Sequence, residues 1–178
     1  CGKSLSYWYD CEWTGHLERH GLLDSYRDEL KWRLKQLGGQ DPGVPSILPP
    51  EHCMDGFIGQ KAATWLESYD QTQPFFLHAS FCGPHFPFDP PKSYFERYDP
   101  AAMPFPEGVD TVDDLDFVRR KRVAYRAMIE QIDDQIGHLL NILERKDMLN
   151  DTLILFATDH GDMLGQHDEW CKGQPYDG

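Results

Sequence analysis

Two apolar runs and the amphipathic stretch between them constrain this chain more than any other feature. Pro74 to Phe81 reads PFFLHASF and Thr152 to Ala157 reads TLILFA. Each is short, rich in aromatic or β-branched residues and followed by glycine, the pattern of a buried parallel strand leading into a loop. Between them, Tyr125 to Asp147 carries Met128, Ile129, Ile132, Ile136, Leu139, Leu140 and Leu143 at steps of three and four. That spacing puts them on one face of a core-facing helix. Glu130, Asp133, Asp134, Glu144 and Arg145 fill the wet face, and Asn150-Asp151 supplies a turn before the second run. Strand, helix and parallel strand make a crossover unit, which is almost always right-handed. The expected fold is therefore α/β, a mostly parallel sheet flanked by helices, with His85 and Asp159 on one sheet edge. Open α/β sheets bind their ligands at such edges.

The rest of the chain is read from weaker signals. Asp24 to Leu37 has Leu30, Leu34 and Leu37 at helical spacing before Gly38-Gly39. Asp55 to Tyr69 places Phe57, Ile58, Ala62, Trp65 and Leu66 on one helical face, while DPGVPSILPP between them reads as loop. Pro100, Pro104 and Pro106 limit Lys92 to Val112 to a short helical turn. At 178 residues and 40% hydrophobic, the chain can bury a sizeable core. A formal net charge of -13 argues against a nucleic-acid partner. No apolar run is long enough to cross a bilayer as a helix. Oligomeric state and cysteine pairing are not readable; the cysteine count of five is odd and shows no framework spacing.

The chemistry-bearing residues cluster after the two runs. Asp159 and His160 follow the second, and a carboxylate oxygen beside an imidazole nitrogen suits a divalent cation. An isolated Asp-His pair at a loop end is more often a cap and a surface residue, but Lys172 follows in the same loop, an ammonium suited to an oxyanion. His167 lies in the loop between them, a position that favours a substrate-binding role. His85 stands in the loop PHFPFDPP after the first run. His78 reads as a core histidine within its strand, and His138 as an exposed one. His16 and His20 stand at i and i+4, but Glu18 is misplaced for the metalloprotease motif, which needs Glu directly after the first histidine; the pair reads as part of a solvated helix or turn.

The stretch LILFATDHGDMLGQHDEWCKGQPYDG resembles the second metal-binding motif of the sulfatases, a branch of the alkaline phosphatase superfamily. Asp159, His160, Gly161, Asp162 and Gly165 match its D-[HN]-G-[DE]-x-x-G half, and Lys172, Gly173, Tyr176, Asp177 and Gly178 match its K-G-x-x-Y-[DE]-G half. His85-Phe86-Pro87 matches the family's H-x-P element. The resemblance implies an alkaline-phosphatase-like fold, in which Asp159 and His160 ligate one divalent cation. Calcium is implied, with magnesium, manganese or zinc compatible with the imidazole ligand. It further implies that Lys172 contacts the sulfuryl group of a small anionic sulfate ester and that His85 binds substrate and assists departure of the alcohol. That last role suits a group of unperturbed pKa ~6.5. The family's habits lean towards a periplasmic or extracellular location.

Departures from the family pattern are as informative. No C-x-P-x-R or S-x-P-x-R element, the source of the formylglycine nucleophile of sulfatases, occurs in the sequence, nor does the N-terminal aspartate pair or the G-V-R-x-P stretch. Residues 1–178 therefore read as a partial catalytic domain, matched well over 71–178 and loosely over 1–70, an internal or carboxy-truncated fragment of a longer enzyme. Such a piece should expose an unpaired sheet edge and be poorly active alone. The alternatives are a phosphonate or phosphate ester hydrolase of the same superfamily, or a non-catalytic binding domain that has lost the nucleophile half.

Overall fold

The structure, a computed structural model, describes residues 11–36, 41, 43–104 and 115–172. Gly173, Tyr176, Asp177 and Gly178 of the motif, and the Gly38-Gly39 stop, lie outside them. Five α-helices are found among the described residues: α1 (Glu12–Arg19), α2 (Leu23–Gln36), α3 (Met54–Ser68), the single turn α4 (Lys92–Phe95) and α5 (Leu115–Arg145). Short 3-10 turns follow at Pro100–Ala102, Leu149–Asp151 and Gln166–Asp168.

Helix α5 begins ten residues earlier than Tyr125, where its periodicity first becomes readable. The reason is visible in its first turns. Val118 is buried in step with Val123 and Ala124, but the intervening buried position is Lys121, a charged residue that hides the apolar period. Its ammonium lies 4.3 Å from the ring centroids of both Phe117 and Trp170, where cation–π attraction offsets part of the desolvation. The buried stripe of α5 is also rotated from the expected one: Ile129 is 46% exposed, while Ala124, Ala127, Met128 and Gln131 are covered. Small residues decide this. A Cβ at Gly59 of α3 would lie 2.2 Å from Oε1 of Gln135, so α3 and α5 approach at a distance only glycine permits. Gln131 Nε2 donates to the Pro50 carbonyl across the same contact, at 2.9 Å.

Among the described residues the helices enclose three apolar clusters. Trp13 and Leu17 of α1, Tyr26 and Leu30 of α2, and Met54 and Phe57 of α3 form one, with Leu48 and Cys53 from the connecting loop. Ala63, Leu66, Ile142, Leu143 and Met148 form the second, and Phe88, Ala124 and Met128 the third. Helix α2 departs from its expected stripe, because Leu34 is 41% exposed and the neighbouring inward position is Arg33. Trp65 of α3 is likewise turned outward, stacked on Tyr69 at 5.4 Å. Lys146 closes the end of α3 by donating to the carbonyls of Leu66, Glu67 and Tyr69 at 2.7–2.8 Å, a cation on otherwise unpartnered helix C-terminal oxygens.

Among the described residues no β-ladder forms; one isolated parallel bridge joins Ser46 and Pro91. Residues 74–80 nonetheless alternate in exposure with the period of a strand. Phe75 and Leu77 face the second cluster, and Phe76, 90% exposed, faces away. His78 belongs to the outward set and is exposed, so it is not the core histidine expected from its apolar neighbours. In the second run Leu153, Leu155 and Phe156 are each at least 80% exposed. A parallel strand draws its hydrogen bonds from neighbouring strands and not from itself, so the pattern marks these runs while their pairing depends on partners that these residues do not supply.

Candidate functional site

Two loops carry the candidate site residues. The first, Cys82 to Pro91, is held from beneath by buried carboxylates. Asp55, in the first turn of α3, accepts the amides of Cys82 (2.7 Å) and Gly83 (3.0 Å). A side chain at Gly83 would meet Asp55 Oδ2 at 2.5 Å, so this grip requires glycine. Asp41 Oδ2 accepts the Phe88 amide at 2.6 Å, and Asp89 accepts the Tyr26 hydroxyl at 2.6 Å. Arg33 ties this cluster to α2, donating to Glu29, to Asp41 and to the carbonyls of Val44 and Pro45. Burial pulls the Arg33 pKa down, but Asp89, Glu29 and Asp41 outweigh it and hold the guanidinium charged. Burial pushes the Asp41 carboxyl up, against the pull of Arg33 and the two amides.

Above this base His85 is exposed, between cis peptide bonds at Gly83-Pro84 and Phe86-Pro87. Its Nδ1 is 2.7 Å from the Phe86 carbonyl. Because a carbonyl only accepts, Nδ1 carries the proton and Nε2 is left as a free acceptor.

The second loop, Thr158 to Lys172, is organised by Asp162. Its Oδ1 accepts the amides of Leu164 (2.9 Å) and Cys171 (3.2 Å), and the Met163 amide donates to the Cys171 carbonyl at 3.0 Å. Leu164, His167 and Cys171 take positive φ of 47°, 53° and 66° to make the bends. The loop thereby doubles back, and Lys172 returns to the residues at its start. Lys172 Nζ lies 2.9 Å from His160 Nε2, which is 3.4 Å from Asp159 Oδ2. His160 Nδ1, 2.7 Å from the Gly161 carbonyl, holds the proton, so the Nε2 lone pair faces the ammonium and the carboxylate. The His160 amide on Asp159 Oδ1, helped by the Lys172 ammonium, holds the Asp159 carboxyl below its usual range.

The structure thus gathers Asp159, His160 and Lys172 into one group. His85 is on the other loop, yet both loops seat on the same stretch of α5: Phe88 and Leu164 pack with Ala124 and Met128. Arg122 adds a bond from Nη1 to the Leu164 carbonyl at 3.2 Å. His167 is exposed on the 3-10 turn between Gly165 and Glu169. The sequence reading assigned no role to Asp162, Asp55 or the Arg33 cluster. Asp162 stood inside the motif and could have been singled out by it; Asp55 and Arg33 sit in helical patterns where nothing local distinguishes a buried polar residue from a solvated one.

The chain is similar to known proteins along most of its length. The family model described as Sulfatase matches residues 6–178. An arylsulfatase of Clostridium perfringens is 36% identical over 140 residues, covering 68% of this chain and 29% of the relative. A choline-sulfatase of Rhizobium meliloti is 34% identical over 196 residues, covering 95% of this chain and 37% of the relative. The chain therefore spans about a third of the length of these relatives. The crystal structure of a phosphonate monoester hydrolase of Agrobacterium radiobacter superposes with a TM-score of 0.78 at 23% identity, over 96% of this chain and 40% of that one, which shows a shared fold. With the family model spanning nearly all of it, the chain belongs to the sulfatase family.

Proposed function

We propose that this chain is part of a metal-dependent sulfuric ester hydrolase, to which it contributes cation ligands and groups that bind the substrate. The observation that carries the reading is the juxtaposition of Asp159 Oδ2, His160 Nε2 and Lys172 Nζ within one folded-back loop. Two donors 3.4 Å apart match the span between neighbouring ligands of one ion with bonds of roughly 2.0–2.4 Å. The pair already attracts positive charge, since the Lys172 ammonium is aimed into the His160 lone pair. Calcium is the first choice on family grounds, and magnesium, manganese or zinc fit a mixed oxygen and nitrogen set.

Such an ion supplies Lewis-acid polarisation of a sulfuryl oxygen. Lys172 places a second positive charge beside it, stabilising negative charge that grows there in the transition state. His85, its Nδ1 proton committed to Phe86, presents Nε2 to the substrate; protonated, Nε2 can hand a proton to a departing alkoxide. His167 faces solvent from the same loop as Lys172 and is assigned to the substrate's outer portion. The nucleophile of this reading is formylglycine, supplied by a residue other than those of this sequence. Sulfate esters are preferred over phosphonate or phosphate esters as substrates because the chain is 36% identical to an arylsulfatase and 34% identical to a choline-sulfatase.

In the full enzyme, Asp159→Ala should remove both bound metal and turnover of aryl sulfates. Metal content unchanged by elemental analysis would refute the ligand assignment. Turnover of phenyl phosphonate esters in preference to aryl sulfates would select the alternative substrate class.

A further inference from the structure

A second group of metal-competent side chains lies at α1, independent of the reading above. His16 lies on α1 and His20 caps its C-terminal end four residues later, and the turn after Pro49-Pro50 brings His52 to the same place, 32 positions beyond His20. The ligating nitrogens of all three lie within 4.8 Å of one another. His16 Nε2 is 2.8 Å from His52 Nδ1, and the ring centroids of His20 are 4.4 Å from His16 and 4.6 Å from His52.

We infer that His16, His20 and His52 form a cation site separate from Asp159 and His160, taking one divalent late-transition-metal ion of the Zn2+ type through three imidazole nitrogens. The donor set selects the ion: three nitrogens and no carboxylate suit zinc, copper or nickel and do not suit calcium or magnesium.

The surroundings are built for this. His20 Nδ1 is 2.8 Å from the His16 carbonyl, so Nδ1 carries the proton and Nε2 is the ligand, the outer-shell hydrogen bond typical of metal-bound histidine. His52 is fixed by its main chain, since Trp13 Nε1 donates to its carbonyl at 2.9 Å and its own amide donates to Pro49 at 3.0 Å. The His16 ring rests against Phe57 of the core at 5.0 Å. Adjacent ligands of a tetrahedral zinc ion lie roughly 3.3 Å apart, so the 2.8 Å hydrogen bond between His16 and His52 must open by about 0.5 Å. The ring that donates this bond moves its proton to its other nitrogen, so neutral rings bind without releasing one. His20 is exposed, and solvent completes the fourth position. Arg19 and Lys61 lie near enough to oppose a cation, although Lys61 is paired with Glu12. An ion there would tie α1 to the turn that starts α3.

The test is titration of Zn2+ alone into the full chain carrying Asp159→Ala, followed by calorimetry. One equivalent should bind, with a melting temperature raised by several degrees at saturation. His16→Ala, His20→Ala and His52→Ala should each weaken binding at least tenfold, on the scale of losing one of three ligands. Unchanged affinity in His52→Ala would overturn the three-histidine site, as would undiminished binding by the triple variant, which keeps the exposed thiols of Cys11 and Cys171. If an alanine variant fails to fold, His52→Gln and the wild-type histidine ring resonances carry the decision: three rings must shift and saturate together at one equivalent, and fewer or unrelated shifts refute the site.

Discussion

Arg33→Met should be among the most destabilising single changes in this chain, and it isolates what holds the His85 loop in place. Methionine keeps much of the length and apolar volume of the arginine stem, so the loss is chiefly that of charge and donors. The Arg33 side chain is 2% exposed, and those of its partners Glu29 and Asp41 are 8% and 0% exposed. Substitution strands two buried carboxylates, with Asp89 close by, and orphans the carbonyls of Val44 and Pro45. Removing one member of a buried ion pair costs about 3–5 kcal/mol, a large share of the ~5–15 kcal/mol that holds a typical domain. The penalty should shrink on acidification. The folded-state pKa of Asp41 is already raised, so between the unfolded value and the folded one the native state binds the extra proton, and stability rises as pH falls through the folded pKa. Without Arg33 that rise should begin at higher pH. Urea unfolding of wild type and variant at neutral and mildly acidic pH reads both effects. A loss under about 1 kcal/mol, or a penalty that grows on acidification, would refute a charged, load-sharing cluster.

Other perturbations separate the roles of the two loops. Lys172→Ala in the full enzyme should lower kcat/KM by a factor on the order of 10² with thermal stability unchanged, and a smaller effect would remove it from transition-state charge stabilisation. His85→Ala should slow aryl sulfates of high phenol pKa more than activated ones; equal loss across such a series would leave His85 to substrate binding alone. Asp55→Ala strands the amides of Cys82 and Gly83 and should cost about 2–3 kcal/mol, with Asp55→Asn recovering part through its carbonyl oxygen, as urea midpoints will show. Lys146→Met should cost about 1–2 kcal/mol by uncapping α3, and a neutral result would mean water replaces the ammonium at no cost.

What the sequence reveals and conceals follows from the range of the physics involved. Helices α2 and α3 were legible within a residue or two because periodicity and end signals are local. The start of α5 was hidden by Lys121, whose burial depends on Phe117 four residues before it and Trp170 in a distant loop. The group at Asp159, His160 and Lys172 was legible because one loop carries all three and Asp162 folds it back on itself. His16 and His20 were visible as a pair and rightly insufficient, since two imidazoles on a solvated helix face are commonplace. Only the fold delivers His52, and it does so through Trp13, a residue whose indole N–H is spent on that backbone and whose ring is spent on Tyr26. The same division explains the Arg33 cluster. Within α2, Arg33 reads as one more solvated cation between Trp32 and Leu34, and its true partners are set by where the 41–47 loop and the Phe88–Asp89 segment pass. Those segments are rich in proline and carry no period, so the chain specifies them through buried charge in place of an apolar stripe. It is this buried charge, and not the helices alone, that carries the structural connection from α2 to the loop presenting His85.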